Sequence, residues 1–164
     1  MARLKRELQI AQRTLPSLIQ DEELRTRCSD LLAAEGQYDR VIREACVILE
    51  DRVRKAAGFG KDRVGTGLMQ SAFDAKSGPL QLSDHEQEQV GYMNIYSGVI
   101  AAYRNAAGHN VIDTYTQEDA LRFVSMVDLL LEMVRCALQM SGAQSVPVPT
   151  VNAVPPASKV PGTN

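Results

Sequence analysis

Residues 38–57 have the sequence YDRVIREACVILEDRVRKAA, and this stretch decides the fold class. Its apolar side chains recur three or four residues apart, which places them on one face of an α-helix. The predicted core face consists of Tyr38, Val41, Ile42, Ala45, Leu49, Arg52, Val53 and Ala56. The side chains predicted to face away from it are Asp39, Arg40, Arg43, Glu44, Glu50 and Arg54. The stretch therefore predicts a long amphipathic helix that packs against other helices.

Helical spacing continues on both sides of this stretch. A helix is predicted from about Glu22 to Glu35, with Gly36 as its C-terminal stop, and short helical character over Thr66–Phe73. Between the later helices, Pro79-Leu80-Gln81-Leu82 is predicted to be extended, as an edge strand or a packed loop.

Two segments predict helix starts in the second half of the chain. Ser83-Asp84-His85-Glu86 has the S-x-x-E form of a capping box and predicts the start of a fourth helix. Thr116-Gln117-Glu118-Asp119 predicts the start of a fifth, which runs to about Met140. The fifth helix is apolar around most of its circumference, which indicates a second buried face, interpreted as a subunit interface.

The 164 residues predict one all-α domain, a bundle of four to five helices over residues 22–140. Residues 1–21 are interpreted as an N-terminal helical extension. Residues 141–164 are interpreted as a disordered tail, because five of the seven prolines fall there without periodicity.

Composition excludes several classes of protein. A net charge of −2 argues against a broad basic nucleic-acid surface, and an aromatic content of 5% argues against binding dominated by base stacking. No segment has the roughly 18 apolar residues of a membrane span. Cys28, Cys46 and Cys136 fit neither metal-ligand nor disulfide spacing and are interpreted as reduced core residues. We therefore expect a cytoplasmic protein that contacts no membrane and has no cofactor and no metal.

One motif offers chemistry, Arg104-Asn105-Ala106-Ala107-Gly108-His109, near the end of the fourth helix. An Arg that binds a phosphate and a His that moves protons are the minimum set for RNA cleavage without a metal. Five residues span about 500° of ideal helix, so Arg104 and His109 share a face only if the helix ends between them. Gly108 can take the left-handed conformation that ends a helix and turns His109 back.

Each residue of the motif also has a structural interpretation. Arg104 could form an ion pair, with Asp113 or Glu118 as partner, and Asn105 could cap the helix or orient the Arg or the substrate. His109 could cap a helix without any catalytic role. The other histidine, His85, is interpreted as a solvated residue in the first turn of its helix.

The fourth helix has two different faces. Tyr92, Met93, Tyr96, Val99, Ile100 and Tyr103 form a bulky one. Gly91, Gly98, Ala102 and Asn105 form a narrow one, which another helix could approach closely.

Over residues 28–136 the chain resembles the HEPN superfamily of helical prokaryotic ribonucleases, and within it the Ymh-type family associated with abortive infection. The resemblance rests on ordered matches along the chain: Gly36-Gln37-Tyr38, the helix Glu44–Arg54, Leu68-Met69, Ala72-Phe73, Pro79–Leu82, Gln89–Met93, Gly98, Arg104-Asn105, His109 and the Leu-rich last helix. The chain has Ala106 where the family commonly has Pro, and Gly108 where a larger residue is usual.

The resemblance implies a HEPN-like bundle that forms a two-fold homodimer and a metal-independent endoribonuclease of defence or toxin type. Arg104, His109 and Asn105 would be its catalytic residues and RNA its substrate, cleaved by attack of a ribose 2′-hydroxyl. An antitoxin or another defence-system protein is an expected partner. Control by modification of a Tyr two residues after the His is not expected, because Val111 stands there. The alternative is a non-catalytic HEPN module that binds nucleotide or RNA, or scaffolds a defence complex.

Overall fold

The computed structural model describes residues 19–34, 36, 38–104 and 115–143, and the regular structure within these ranges is entirely helical. The α-helices, in chain order, are α1 (Glu22–Ala33), α2 (Tyr38–Ala56), α3 (Gly65–Phe73), α4 (Glu86–Val99) and α5 (Gln117–Ala143). A π-helical turn, Ile100–Arg104, continues α4. The predicted all-α bundle of four to five helices is confirmed.

The central element is α2, which packs against α1, α3, α5 and the π-helical turn. Its apolar face is buried as the periodicity predicts, including Val41, Ile42, Ala45, Leu49 and Val53. Removing such side chains from water is the main favourable contribution to folding. This helix therefore fixes the positions of its neighbours, including the turn that holds Arg104.

A buried tyrosine connects α4 to the rest of the bundle. The ring of Tyr96 stacks on Phe73 of α3, with 4.1 Å between the ring centroids. Its hydroxyl donates a hydrogen bond to the carbonyl oxygen of Leu130 in α5 at 2.7 Å. The phenol therefore packs its ring and satisfies its polar tip at the same time.

The segment from Asp74 to His85 is a packed loop, so the edge-strand alternative is wrong. Leu80 is buried, and the side-chain amide of Gln89 donates to its carbonyl oxygen at 2.9 Å. The predicted capping box is also wrong, because α4 begins at Glu86. The Ser83 hydroxyl instead accepts from the His85 N–H and donates to Glu88.

At the start of α5, Thr116 and Asp119 cap the helix reciprocally. The Asp119 N–H donates to the Thr116 hydroxyl at 3.1 Å, and the Thr116 N–H donates to the Asp119 carboxylate at 3.0 Å. The expectation for the cysteines holds for Cys28 and Cys46, which are buried, but is wrong for Cys136, which is exposed on α5. Its position falls outside the face that α5 buries against the bundle.

The predicted terminal segments fall mostly outside the described residues. Of the N-terminal extension, the structure describes residues 19–21, which precede α1. Of the tail, it describes residues 141–143, which belong to α5. The last helix therefore continues three residues beyond the predicted boundary at residue 140.

Candidate active site around Arg104

Arg104 is the last residue of the π-helical turn that continues α4. Single π-helical turns occur frequently at functional sites, where they change the direction in which a side chain leaves the helix. About 35% of the Arg104 side chain is exposed. The guanidinium therefore lies at the protein surface, and its side chain starts from a π-helical turn and not from an α-helical one.

The guanidinium of Arg104 is held by Glu50, a buried carboxylate of α2. Its Nε lies 3.0 Å from Oε2 of Glu50. The other carboxylate oxygen, Oε1, accepts a hydrogen bond from the backbone N–H of Gly65, the first residue of α3, at 2.6 Å. Glu50 is only 3% exposed, and a carboxylate at such a position must be paired or hydrogen-bonded. Both of its oxygens are satisfied here.

The prediction that Glu50 faces away from the core is wrong. Glu50 lies four residues after Cys46 and three before Val53, both fully buried, so helical spacing places all three on one face. Its negative charge argued for solvent, and the burial becomes possible only because Arg104 and Gly65 provide partners. Neither partner is near Glu50 in sequence.

Gly65 allows this arrangement through its backbone conformation. Its φ is +67°, a conformation that side chains disfavour. A Cβ atom at this position would also lie 3.6 Å from Nη1 of Arg104. The glycine thus sits directly against the guanidinium that Glu50 holds.

A cavity of about 480 Å³ adjoins Arg104, between α1, α2 and the start of α3. Three further cations line it: Arg27, Arg54 and Lys55. Each has an acidic partner within the same region. Arg27 pairs with Glu44 at 2.6 Å. Asp51 pairs with Lys55 at 2.6 Å and with Arg54 at 3.1 Å. The hydrogen bond from Lys55 lowers the pKa of Asp51. The region is rich in cations but balanced in charge, so an anion that binds must exchange with these carboxylates.

The structure resolves the alternatives for Arg104 in part. An ion pair exists, but its partner is Glu50 and not Glu118, which pairs with Arg122 at 2.5 Å. The other suggested partner, Asp113, lies outside the described residues. Among the described residues, Arg104 pairs with no carboxylate other than Glu50, and its terminal nitrogens are therefore available to bind a phosphate.

Two of the three predicted catalytic residues, Asn105 and His109, lie outside the described residues, as does Gly108. The structure therefore places Arg104 and does not test its distance from His109. His85 is exposed at the N-cap of α4, without a side-chain capping bond. This agrees with its interpretation as a solvated residue.

No candidate metal site and no reactive buried thiol competes with this location in the part of the chain that the structure describes. There, no three His, Cys, Asp or Glu side chains are grouped so that they could hold a metal ion. Burial raises the pKa of the Cys28 and Cys46 thiols to about 12, so neither supplies a thiolate at neutral pH. Among the same residues, no helix is long and apolar enough to cross a membrane.

Comparison with known proteins gives one match. A family model described as "Protein of unknown function (Hypoth_ymh)" matches residues 20–134, a range that includes α1 to α4, the π-helical turn and most of α5. No curated protein and no solved structure matches the chain.

Proposed function

We propose that this chain, which belongs to the Hypoth_ymh family, is a metal-independent endoribonuclease of the HEPN type that acts in abortive infection or as a toxin. Arg104 would bind the scissile phosphate, His109 would transfer protons, and Asn105 would orient the Arg or the substrate. The proposal rests on the resemblance of the motif and its flanking helices, and on the way in which the bundle presents Arg104.

The observation that carries the proposal is the fixed orientation of Arg104. Glu50 pairs with its Nε, and the two terminal nitrogens carry the remaining N–H donors of the guanidinium. Positive charge that is already oriented stabilises a developing phosphorane without reorganisation, and this is a large contribution to catalysis.

The proposed reaction is an internal transfer on RNA. The ribose 2′-oxygen attacks the adjacent phosphorus, a new P–O2′ bond forms and the P–O5′ bond breaks. A base accepts the proton of the 2′-hydroxyl, and an acid gives a proton to the leaving 5′-oxygen. The products are a 2′,3′-cyclic phosphate and a 5′-hydroxyl. Proton transfer at both oxygens requires two groups, whereas each chain contributes one motif histidine.

A two-fold homodimer would provide the second histidine, because symmetry duplicates every residue of the site. The narrow face of α4 supports close contact with a second copy. A Cβ built on Gly91 or Gly98 meets no atom within 4 Å, so within the described residues no other helix covers this face. Ile95, between the two glycines, is 50% exposed. We propose that the subunits meet along this face of α4 and along α5.

The test is cleavage of RNA by His109→Ala protein in excess EDTA. The rate should fall by roughly 10²–10⁴-fold, the usual contribution of a general acid or base. His85→Ala is the matched control, because it removes the other histidine from an exposed helix end, and it should cleave like wild type. Loss of wild-type activity in EDTA would overturn the metal-independent mechanism. Equal rates for the two variants would exclude His109 as the proton carrier.

The balanced charge around Arg104 favours the alternative, a non-catalytic HEPN module that binds nucleotide or RNA or scaffolds a defence complex. Every cation of the adjoining cavity has an acidic partner, and a strong polyanion site would be expected to carry surplus positive charge. Expression in a bacterial host distinguishes the two functions. An active ribonuclease slows growth and His109→Ala relieves the effect, whereas a scaffold leaves growth unchanged with either chain.

A further inference from the structure

A second cavity, of about 530 Å³, lies between α2, the π-helical turn and the first turns of α5. It has the size of a small-ligand site. Its lining consists of Ile42, Tyr103, Tyr115, Asp119, Arg122, Phe123 and Met126. The whole chain has only five Tyr, three Phe and no Trp, so three of its eight aromatic residues line this one cavity. These rings also pack against the hydrophobic core, and the surfaces that they turn to the cavity suit a ligand with a flat face.

The aromatic side chains form an apolar wall with polar groups at its edge. The rings of Tyr103 and Phe123 are in contact, with 4.4 Å between centroids and an angle of 48° between planes. Tyr115 lines the same cavity and is partly buried against the hydrophobic core. Burial and the neighbouring Tyr103, Cys46 and Asp119 raise the pKa of its phenol. The cavity therefore offers ring faces in its wall and phenol, carboxylate and guanidinium groups around them.

The aromatic cavity and the site at Arg104 involve neighbouring positions of the same two elements, the π-helical turn and α2. Tyr103 and Arg104 are consecutive residues of the π-helical turn. Ile42 lines the aromatic cavity, and Glu50 holds Arg104. The two residues lie eight positions apart on α2, which is about 12 Å along the helix. A few linked nucleotides can span that distance. A ligand that is anionic at Arg104 and flat in the aromatic cavity is a short stretch of single-stranded nucleic acid.

We propose that this cavity binds one nucleobase of the RNA whose backbone passes Arg104. The base stacks on the aromatic wall, as unpaired bases do in proteins that bind single-stranded RNA. The Asp119 carboxylate and the Arg122 guanidinium present an acceptor and donors to the edge of the base. Arg122 is available for this contact because its pair with Glu118 is exposed, at 74% and 69%, and such pairs are weak. This inference rests on the proposed function, because it assigns a base-binding subsite to that RNA.

The test uses binding and not cleavage, so that the two proposals fail separately. Short 2′-O-methyl oligoribonucleotides cannot be cleaved, because their 2′-oxygen has no proton to lose and is blocked as a nucleophile. Their affinity for the full chain is measured by fluorescence anisotropy, intact and with one abasic residue placed at each position in turn. Wild-type protein should lose about 5- to 150-fold in affinity at one abasic position, which is the range of base–aromatic stacking.

Tyr115→Leu should bind the intact oligonucleotide as weakly as wild type binds the abasic one, and it should be insensitive to the abasic position. Tyr92→Leu is the matched control, because this partly exposed tyrosine of α4 does not line the cavity, and it should behave like wild type. Tyr115→Phe, which keeps the ring, should retain most of the affinity. The proposal is overturned if no abasic position matters, if Tyr115→Leu keeps the wild-type sensitivity, or if that variant loses thermal stability with unchanged affinity. A ribonuclease assay with no product would refute the catalytic proposal and leave this binding result standing.

Discussion

At the scale of single residues, the Glu50 carboxylate joins three elements of the bundle. It belongs to α2, accepts the first N–H of α3 and pairs with the last residue of the π-helical turn. The N-terminus of a helix carries partial positive charge, so both contacts of Glu50 are electrostatically favourable. A single side chain thus couples the packing of α3 to the orientation of Arg104.

We predict a measurable coupling energy between Glu50 and Arg104. In a double-mutant cycle with Glu50→Gln and Arg104→Gln, the free energy of unfolding in urea should show a coupling of about 1 kcal/mol. This coupling energy is small for a pair that includes a buried carboxylate, because a third of the Arg104 side chain is exposed and screened by solvent. Glu50→Gln keeps an oxygen that can accept from Gly65, so the cycle isolates the ion pair.

The exposed pair of Asp39 and Arg43 on the same helix, 3.8 Å apart, gives the reference cycle and should show a coupling near zero. If the two cycles agree, Glu50 does not hold Arg104, and the orientation proposed for catalysis has no support.

The residues of the site differ in how far the sequence could reveal them. Arg104 is recognisable from its spacing to His109 and from the resemblance of the flanking residues to the family named above. Glu50 is not, because periodicity places it on the buried face while its charge argues for solvent, and the partners that settle the conflict are 15 and 54 residues away along the chain. Local pattern contains no information about such contacts.

At the scale of elements, α1 is fixed by contacts at its N-terminus. Asp21 is the N-cap, and its carboxylate accepts from the Leu24 N–H at 2.9 Å. Arg52 of α2 donates to the same carboxylate at 2.7 Å. The nearly buried Asp128 of α5 accepts from the backbone N–H groups of Gln20 and Asp21, both at about 3 Å. Three helices therefore meet at one carboxylate-rich junction.

We predict that Asp21→Asn destabilises the protein only where Asp21 is charged. Burial raises the pKa of Asp21, but hydrogen bonds from Arg52 and Leu24 outweigh it and leave the pKa below the ordinary 3.8. A depressed pKa gives stability that is complete above 3.8 and is lost as the pH falls through the lower, folded-state value. The difference in unfolding free energy between wild type and variant should be about 1–2 kcal/mol at pH 7.

This difference should shrink steadily as urea denaturation is repeated below pH 4. Asp30→Asn, which removes an exposed carboxylate from the same helix, controls for the change in net charge. A difference that persists undiminished at the lowest pH where the protein folds would mean that Asp21 acts through shape alone.

Most helices were predictable because each buries one face, and the periodicity of that face is visible in a single sequence. The first residue of α4 was not predictable in this way, although Ser83 and Glu86 have the spacing of a capping box. Gln89 accepts from the N–H groups of Leu82 and Ser83, which holds the preceding loop and moves the start of the helix to Glu86. The π-helical turn, which packs against α2 and α3, has no sequence signature either.

At the scale of the whole molecule, the described part of the bundle leaves apolar surface that it does not itself cover. The predicted second apolar face of α5 is largely used within one chain, because Val127, Leu130, Leu131 and Val134 are all buried. Leu129, at 61% exposure, remains outside. Together with Ile95 on the narrow face of α4, it provides apolar contacts for the proposed homodimer on the two helices that flank the motif segment.

The composite site makes a quantitative prediction about mixed dimers. If cleavage requires one His109 from each subunit, a dimer with a single intact His109 should be nearly inactive and not half active, because losing either proton carrier lowers the rate by roughly 10²–10⁴-fold. Tagged His109→Ala chains are co-expressed with wild-type chains, the heterodimer is isolated, and cleavage is measured per dimer. A heterodimer of tagged His85→Ala with wild type is prepared in the same way and should keep full activity.

If the His109→Ala heterodimer retains about half of the wild-type rate, each subunit carries an independent site. The second proton carrier then lies in the same chain, with His85 and Tyr103 as the first candidates. Tyr103 is favoured of these two by position, since it precedes Arg104 in the π-helical turn, whereas His85 lies at the far end of α4.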